Sequence, residues 1–80
     1  MDIKLNTQTQ MYKNIPLQLI TRKYTHYKAK RFRINNTNQN VWIPNKHLAP
    51  DGTILPNQNL DYIFFTRMGR HKLKLAGITM

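Results

Sequence analysis

The chain has no cysteine, so disulfides do not stabilise it, and cysteine usage does not identify its redox compartment. Its only acidic residues are Asp2, Asp51 and Asp61, which are widely separated. Together with three histidines they form neither a metal-ligand spacing nor a catalytic carboxylate pair. Only three glycines are present, and none belongs to a phosphate-cradling loop. We therefore expect no metal, no small-molecule cofactor, no catalytic residues and no enzymatic activity.

Long apolar segments are absent as well. No stretch approaches the roughly 20 apolar residues of a membrane-spanning helix. The first six residues lack the apolar core of a signal peptide. Eighty residues, 40% of them hydrophobic, suffice for one small domain with a modest core. We expect a single basic domain over residues 1–80 that is soluble, cytoplasmic and makes no membrane contact.

The strongest feature of the composition is its positive charge. Thirteen lysines and arginines against three acids give a net charge of +10 and an isoelectric point near 10.5. Such a charge attracts polyanions, and solubility alone rarely requires so large an excess of basic over acidic residues. The composition therefore indicates a polyanionic partner, with nucleic acid (RNA or DNA) expected first and a nucleoprotein or acidic protein second. A merely solvated surface is the alternative.

A strand with one apolar and one cationic face is predicted around Phe32. Phe32 and Ile34 lie two residues apart, so on a strand they point to the same face, and Lys30 extends that row. Arg31 and Arg33 alternate with them and place charge on the other face. This two-faced strand is the basis of the functional hypothesis.

The same strand is predicted to form a β-hairpin with the segment that follows. Residues 35–40 are polar, and their short side chains are typical of a turn. The chain then returns as Val41, Trp42 and Ile43, and Pro44 ends the strand because it cannot donate a ladder hydrogen bond.

Other segments also favour strands and turns. Residues 1–14 are expected to form an arm or a short edge strand. Residues 17–27 alternate with a period of two and contain Thr and Tyr, which predicts a strand that joins the next one through a bend or a bulge. One helical turn is expected at 45–48, and Pro50-Asp51-Gly52 predicts a tight turn.

The C-terminal region is ambiguous between strand and helix. Segment 60–67 fits either, and we prefer a strand because Met68-Gly69 resembles a turn into a further strand at 70–76. In that last strand His71, Leu73 and Leu75 would oppose Arg70, Lys72 and Lys74. The predicted fold is mainly β: a small barrel or sheet roll of four to six short antiparallel strands, with at most one short helix.

Ten of the thirteen basic residues fall in two clusters. The candidate phosphate-binding residues are Arg22, Lys23, Lys28, Lys30, Arg31 and Arg33 in the first cluster and Arg67, Arg70, Lys72 and Lys74 in the second. If the two strand regions were neighbours, these side chains would form one basic sheet face that binds phosphates through charge and counterion release.

Aromatic residues accompany the first cluster. Tyr24 and Tyr27 are interleaved with its cations, as stacking platforms for unpaired bases would be, although a half-buried core position is favoured for each ring taken alone. Trp42, the only tryptophan, is interpreted first as the centre of the core and second as an exposed binding residue. The hypothesis is a nucleic-acid-binding protein with a cationic sheet face.

A metal-independent ribonuclease toxin is a further interpretation. Small basic toxins that cut mRNA on the ribosome use Arg, Lys, His and Tyr, and His71 beside Arg70 and Lys72, with Tyr62, would supply such groups. Those toxins carry an N-terminal pair of helices, which this sequence does not predict.

The segment from Lys28 through Trp42-Ile43-Pro44 to Ile54 resembles short uncharacterised proteins of phages and other mobile elements. These share a strand, a polar turn and a Trp-Ile-Pro motif over less than half the chain. Arg31 and Arg33 depart from that pattern, in which less charged residues are expected. The resemblance implies no activity of its own, but it raises an alternative function, a phage-encoded, anti-CRISPR-like inhibitor that binds a host nucleoprotein complex.

Overall fold

The computed structural model describes residues 4–79. A four-stranded antiparallel sheet has the strand order β1-β2-β3-β4, so each strand pairs with its neighbour in sequence. The strands are β1 Gln10–Tyr12, β2 Ile15–Leu19, β3 Ala29–Ile34 and β4 Asn40–Pro44. Two helices follow, α1 Asp61–Phe64 and α2 Arg67–Leu75. The mainly β fold with four antiparallel strands and one short helix longer than a turn is confirmed.

The sheet does not close into a barrel. Its edges, β1 and β4, do not pair with each other, so the barrel form of the prediction is wrong. A barrel needs enough tilted strands to bring its two edges together, and four strands of at most six residues do not suffice. The helices cover one face of the sheet instead, which gives a two-layer arrangement.

Left-handed residues, three of them asparagines, occur in the turns between β1 and β2 and between β3 and β4. Lys13 and Asn14 link β1 to β2 with φ values of 45° and 68°, the left-handed pair typical of a two-residue hairpin turn. Asn35 and Asn36 likewise have φ values of 52° and 57° after β3. Asparagine tolerates this conformation better than most residues, so the polar segment predicted as a turn is suited to its backbone.

The core lies between the helices and one face of the sheet, which we call the inner face. The alternate residues of β2, β3 and β4 that point inward are fully or nearly fully buried, and Phe64 of α1 and Leu73 of α2 pack in the same cluster. The inward apolar strand residues are Ile15, Leu17, Leu19, Phe32, Ile34, Val41 and Ile43. The predicted alternation on both sides of the hairpin therefore matches the fold.

The preferred strands at 60–67 and 70–76 are wrong. Segment 60–67 contains the single helical turn α1, as its alternative interpretation predicted. Residues 70–75 lie within α2, and Met68 and Gly69 are part of that helix and not a turn. Thr66 caps α2, since its hydroxyl accepts a hydrogen bond from Gly69 N at 3.0 Å. No residue of α2 is β-branched, which also favours a helix.

Two shorter predictions are confirmed and one is corrected. Residues Asn45–His47 form a 3₁₀ turn, and Gly52 donates to Ala49 O at 2.9 Å within the predicted tight turn. Strand β1 is an edge strand, while residues 1–3 lie outside the described part of the chain. The strand predicted over 17–27 ends at Leu19, and residues 20–28 form an irregular loop.

Candidate functional site

The face of the sheet opposite the core, which we call the outer face, carries arginines and the tryptophan. In the β3–β4 ladder Arg31 lies opposite Trp42, and Arg33 lies opposite Asn40. Trp42 is 40% exposed, whereas Val41 and Ile43 beside it are buried on the inner face. The interpretation of Trp42 as the centre of the core is therefore wrong, since one-residue alternation turns it away from the core.

Tyr24 fixes the path of loop 20–28 at the end of the outer face. Its hydroxyl donates to Ile20 O and accepts from the backbone N–H of Arg31 at 3.3 Å. Burial raises the pKa of this hydroxyl above the usual tyrosine range. Tyr24 thus connects the loop to β3, and its role in the fold is distinct from that of the more exposed rings nearby.

Three aromatic rings meet where this loop crosses the sheet, and we call Tyr24, Tyr27 and Trp42 the aromatic cluster. The ring centres of Tyr27 and Trp42 are 5.6 Å apart, and Tyr24 approaches each of them edge-on, at 5.9 and 6.5 Å. Tyr27 is 45% exposed. The structure therefore brings together the three stacking candidates from two segments of the sequence.

Two arginines lie against the aromatic cluster. The guanidinium carbon of Arg22 is 5.0 Å from the centre of the Tyr27 ring, and Arg22 Nη2 donates to the Tyr27 hydroxyl at 3.0 Å. On the other side, the guanidinium carbon of Arg31 lies 5.9 Å from the Trp42 ring, and its Nε donates to Asn40 at 2.8 Å. Both cations are held beside exposed π surfaces, an arrangement that suits a ligand with flat rings and negative charge.

The remaining cations of the first cluster occupy different surroundings. Lys23 lines an open depression with Thr25, His26 and Tyr27, directly beside the aromatic cluster. Lys28 and Arg33 are exposed. Lys30 is opposite Ile43 in the ladder and only 7% exposed, so it belongs to the inner face. Its ammonium donates to Asn45 Oδ1 at 3.2 Å and lies 5.8 Å from the centre of the Tyr24 ring.

The second basic cluster is not part of the same surface. Because its residues lie on α2 rather than on a strand, the expected single basic sheet face is wrong. Helix α2 buries Leu73 against the core and therefore covers the inner face. Arg67, Arg70 and Lys74 are exposed on the helix side, and Lys72 is half-buried.

A buried histidine was not singled out by the sequence. His47 is 8% exposed, with Nδ1 at 2.7 Å from Gln58 Oε1 and Nε2 at 2.7 Å from the Tyr62 hydroxyl. Tyr62 therefore pairs with His47, while His71 is exposed on α2. The partners of His47 are 11 and 15 residues away, so no local pattern pointed to them. The network joins the 3₁₀ turn to α1, which is a structural role.

The two acids of the described chain are both engaged. The Tyr12 hydroxyl and the Lys13 ammonium hold the pKa of Asp61 below its usual range, with Lys13 Nζ 2.9 Å from the carboxylate. Hydrogen bonds from Thr53 hold the pKa of Asp51 below its usual range. Both remain carboxylates near neutral pH, and neither contacts the aromatic cluster.

Within residues 4–79, no three His, Asp or Glu side chains come together as metal ligands would. No helix in this part of the chain is long and apolar enough to cross a membrane. Comparison of the chain with models of protein families, with curated proteins and with solved structures found no match.

Proposed function

We propose that the protein binds single-stranded nucleic acid, with unpaired bases stacked on the aromatic cluster and phosphates held by the cations around it. The observation that carries this proposal is the mutual contact of Tyr24, Tyr27 and Trp42, with Arg22 and Arg31 against the two exposed rings. Aromatic side chains beside basic ones are the usual means of binding single strands without sequence preference.

The division of roles follows from burial. Tyr27 and Trp42 expose enough of their rings to accept a base, while Tyr24 contacts both of them edge-on and holds the loop. Arg22, Lys23 and Arg31 lie close enough to these rings to reach the phosphates next to a stacked base.

The overall charge supports the same ligand. A net charge of +10 raises the local concentration of any polyanion, and its phosphates displace counterions when they bind. Binding is therefore expected to weaken steeply as salt concentration rises. RNA and DNA strands share both the flat bases and the phosphates that this surface would hold.

Trp42 provides a direct measurement, because it is the only tryptophan in the chain. Addition of oligothymidine or oligouridine should quench its fluorescence and saturate. For variants that lack this fluorophore, the anisotropy of a labelled strand measures affinity. We expect Trp42→Leu to weaken binding by about 1–3 kcal/mol, the value of one stacked base. Trp42→Phe, which retains a ring, should lose much less. Equal losses in the two variants, or no binding by the unaltered protein at low salt, would refute the proposal.

A second candidate is an inhibitor that docks on a nucleoprotein complex, the function implied by the resemblance to phage proteins. An exposed tryptophan on an otherwise regular sheet face is typical of a protein-binding hot spot. Pull-downs with and without nuclease treatment separate the two candidates. A partner that remains after nuclease and is lost in Trp42→Ala supports the inhibitor, whereas capture that needs intact nucleic acid supports direct binding.

A further inference from the structure

The exposed side of α2 carries a row of basic side chains that the aromatic cluster does not use. Arg67, Arg70, His71 and Lys74 are spaced at i, i+3, i+4 and i+7, so they lie on one side of the helix, and all four are exposed. We call these four residues the cationic stripe, after the charges of Arg67, Arg70 and Lys74. At 1.5 Å per residue the stripe extends over about 10 Å.

Packing of the helix explains the opposite side but not the stripe. Gly69, Leu73 and Ala76 are buried at i, i+4 and i+7, half a turn away from the cations. The only ion pair found within residues 4–79 joins Lys13 to Asp61, so no acid there neutralises the stripe. Arg67 is the first residue of α2, where the helix dipole disfavours positive charge. Arg70 Nε does donate to Phe65 O at 3.1 Å, and Lys74 lies in the last turn, where the dipole favours a cation. No ion pair within residues 4–79 neutralises the charge of the cationic stripe.

The cationic stripe and the aromatic cluster lie on opposite sides of the domain. Leu73 of α2 packs in the same core as Phe32 of β3, so the helix covers the inner face. Trp42 and Arg31 point away from that core, on the outer face. A ligand on one surface leaves the other open to solvent.

We propose that the cationic stripe binds the phosphate backbone of a duplex, so that one molecule holds an unpaired strand and a double-stranded segment together. This inference rests on the proposed binding of single strands. The His71 imidazole is the one ring in the stripe, and no Tyr, Trp or Phe lies within it. The stripe lies on a convex helix about 10 Å wide, which fits a B-form major groove about 12 Å wide. Charge and shape thus favour duplex phosphates over unpaired bases.

The test is a sandwich capture with the full chain. A short DNA duplex is fixed on beads, and a fluorescent oligothymidine is added with and without the protein. The unaltered protein should bring the labelled strand to the beads. Arg67→Ala with Lys74→Ala should abolish this recruitment and lower the magnitude of the log–log salt slope for duplex binding by about 1.8, since each lost contact removes about 0.9. Alanine retains the helix.

A matched control removes the same charge from elsewhere. Lys4→Ala with Lys46→Ala neutralises two exposed lysines that belong to neither surface. If the control pair lowers duplex affinity and recruitment as much as the stripe pair does, general charge is responsible and the stripe is refuted. Displacement of the duplex by the unlabelled single strand would also refute it, because both ligands would then share one surface.

Failure of this inference is distinguishable from failure of the proposed function. Trp42→Leu should lose the labelled strand but keep the duplex. If the single strand binds through Trp42 while the stripe pair changes nothing, only the second surface is refuted. If neither nucleic acid binds the unaltered protein at low salt, both proposals fail.

Discussion

Arg31 and Trp42 face each other across β3 and β4, with the guanidinium carbon 5.9 Å from the centre of the indole ring. This cross-strand pair places a fixed positive charge and an exposed aromatic surface side by side on the outer face. Directly opposite residues in an antiparallel ladder are held at a constant distance by the strands, so their geometry does not depend on a flexible loop. The pair therefore offers the rigid part of the candidate site, and loop 20–28 adds Tyr27 and Arg22.

Removal of the two outer-face arginines should change binding without loss of the fold. Arg31→Ala with Arg33→Ala takes two cations from β3, whose apolar residues Phe32 and Ile34 stay buried on the other side. We expect the magnitude of the log–log salt slope for single strands to fall by about 1.4, or about 0.7 for each phosphate contact. Fluorescence anisotropy over a salt series measures the slope. Lys4→Ala with Lys46→Ala is the control, and an equal change in both pairs would contradict a local contact.

Phe32→Ala should act on stability and leave the binding surface unaltered. Phe32 is completely buried between the sheet and the helices, so truncation to alanine should cost about 3–5 kcal/mol of the free energy of unfolding. Chemical denaturation followed by circular dichroism measures this loss. Met11→Ala, at an exposed residue of β1, should change stability by less than about 0.5 kcal/mol. Reduced affinity of the fraction of Phe32→Ala that remains folded would argue that the core also shapes the site.

Gly69→Ala tests the contact between α1 and α2. At an exposed helical position this change normally stabilises by up to about 1 kcal/mol, because alanine has the higher helix propensity. Here a Cβ at residue 69 would overlap the backbone carbonyls of Ile63 and Phe64, which do not move as a side chain would. We therefore expect a loss of about 1–3 kcal/mol in the free energy of unfolding. Lys74→Ala serves as the control in the same helix, and a stabilised Gly69→Ala would show that the two helices pack less closely.

Stability should fall in acid because of Asp61. Its pKa in the folded protein is lowered by the Tyr12 hydroxyl and the Lys13 ammonium, so the unfolded chain binds more protons than the folded one as pH decreases. The stabilisation is present above the unfolded pKa, about 3.9, and is lost as pH falls through the folded pKa. Denaturation midpoints of Asp61→Asn should accordingly depend less on pH between 2 and 5 than those of the unaltered protein.

Asp51→Asn is the comparison for this titration. The pKa of Asp51 is also lowered, so each variant should lose part of the acid dependence, and the double variant should lose more than either. A curve for Asp61→Asn that coincides with that of the unaltered protein would contradict the assigned role of Tyr12 and Lys13.

The hairpin was predictable because its apolar residues fit the strand period of two and not the helix period of 3.6. Phe32 and Ile34 alternate with arginines, and Val41 and Ile43 flank Trp42, so only a strand places all four apolar residues together. Segment 70–76 has the same alternation of apolar and basic residues, yet it is helical. On the helix Leu73 alone of its two leucines reaches the core, and Leu75 is 56% exposed. Two leucines are too few to distinguish the strand period of two from the helix period of 3.6.

The composition of the candidate site was predictable, but its assembly was not. Tyr24, Tyr27 and the nearby cations stand out in the sequence as an aromatic and basic segment. Their contact with Trp42 depends on where loop 20–28 crosses the sheet, and that path is determined by hydrogen bonds between residues four to seven positions apart. The two basic clusters lie on opposite sides of the domain because α2 is a helix that packs on the inner face, and the sequence pattern of that segment favoured a strand.

The hydroxyl of Tyr24 has a consequence for local motion. Strand β2 ends at Leu19, so beyond that residue it no longer accepts a ladder hydrogen bond from the backbone N–H of Arg31 in β3. That N–H needs another acceptor. Tyr24 supplies that acceptor from its side chain, so the Arg31 amide stays paired where the loop leaves the sheet. Opening of the loop and release of one β3 amide are thereby a single event. Hydrogen exchange at Arg31 should report that event, and Tyr24→Phe, which keeps the ring but removes the acceptor, should accelerate it.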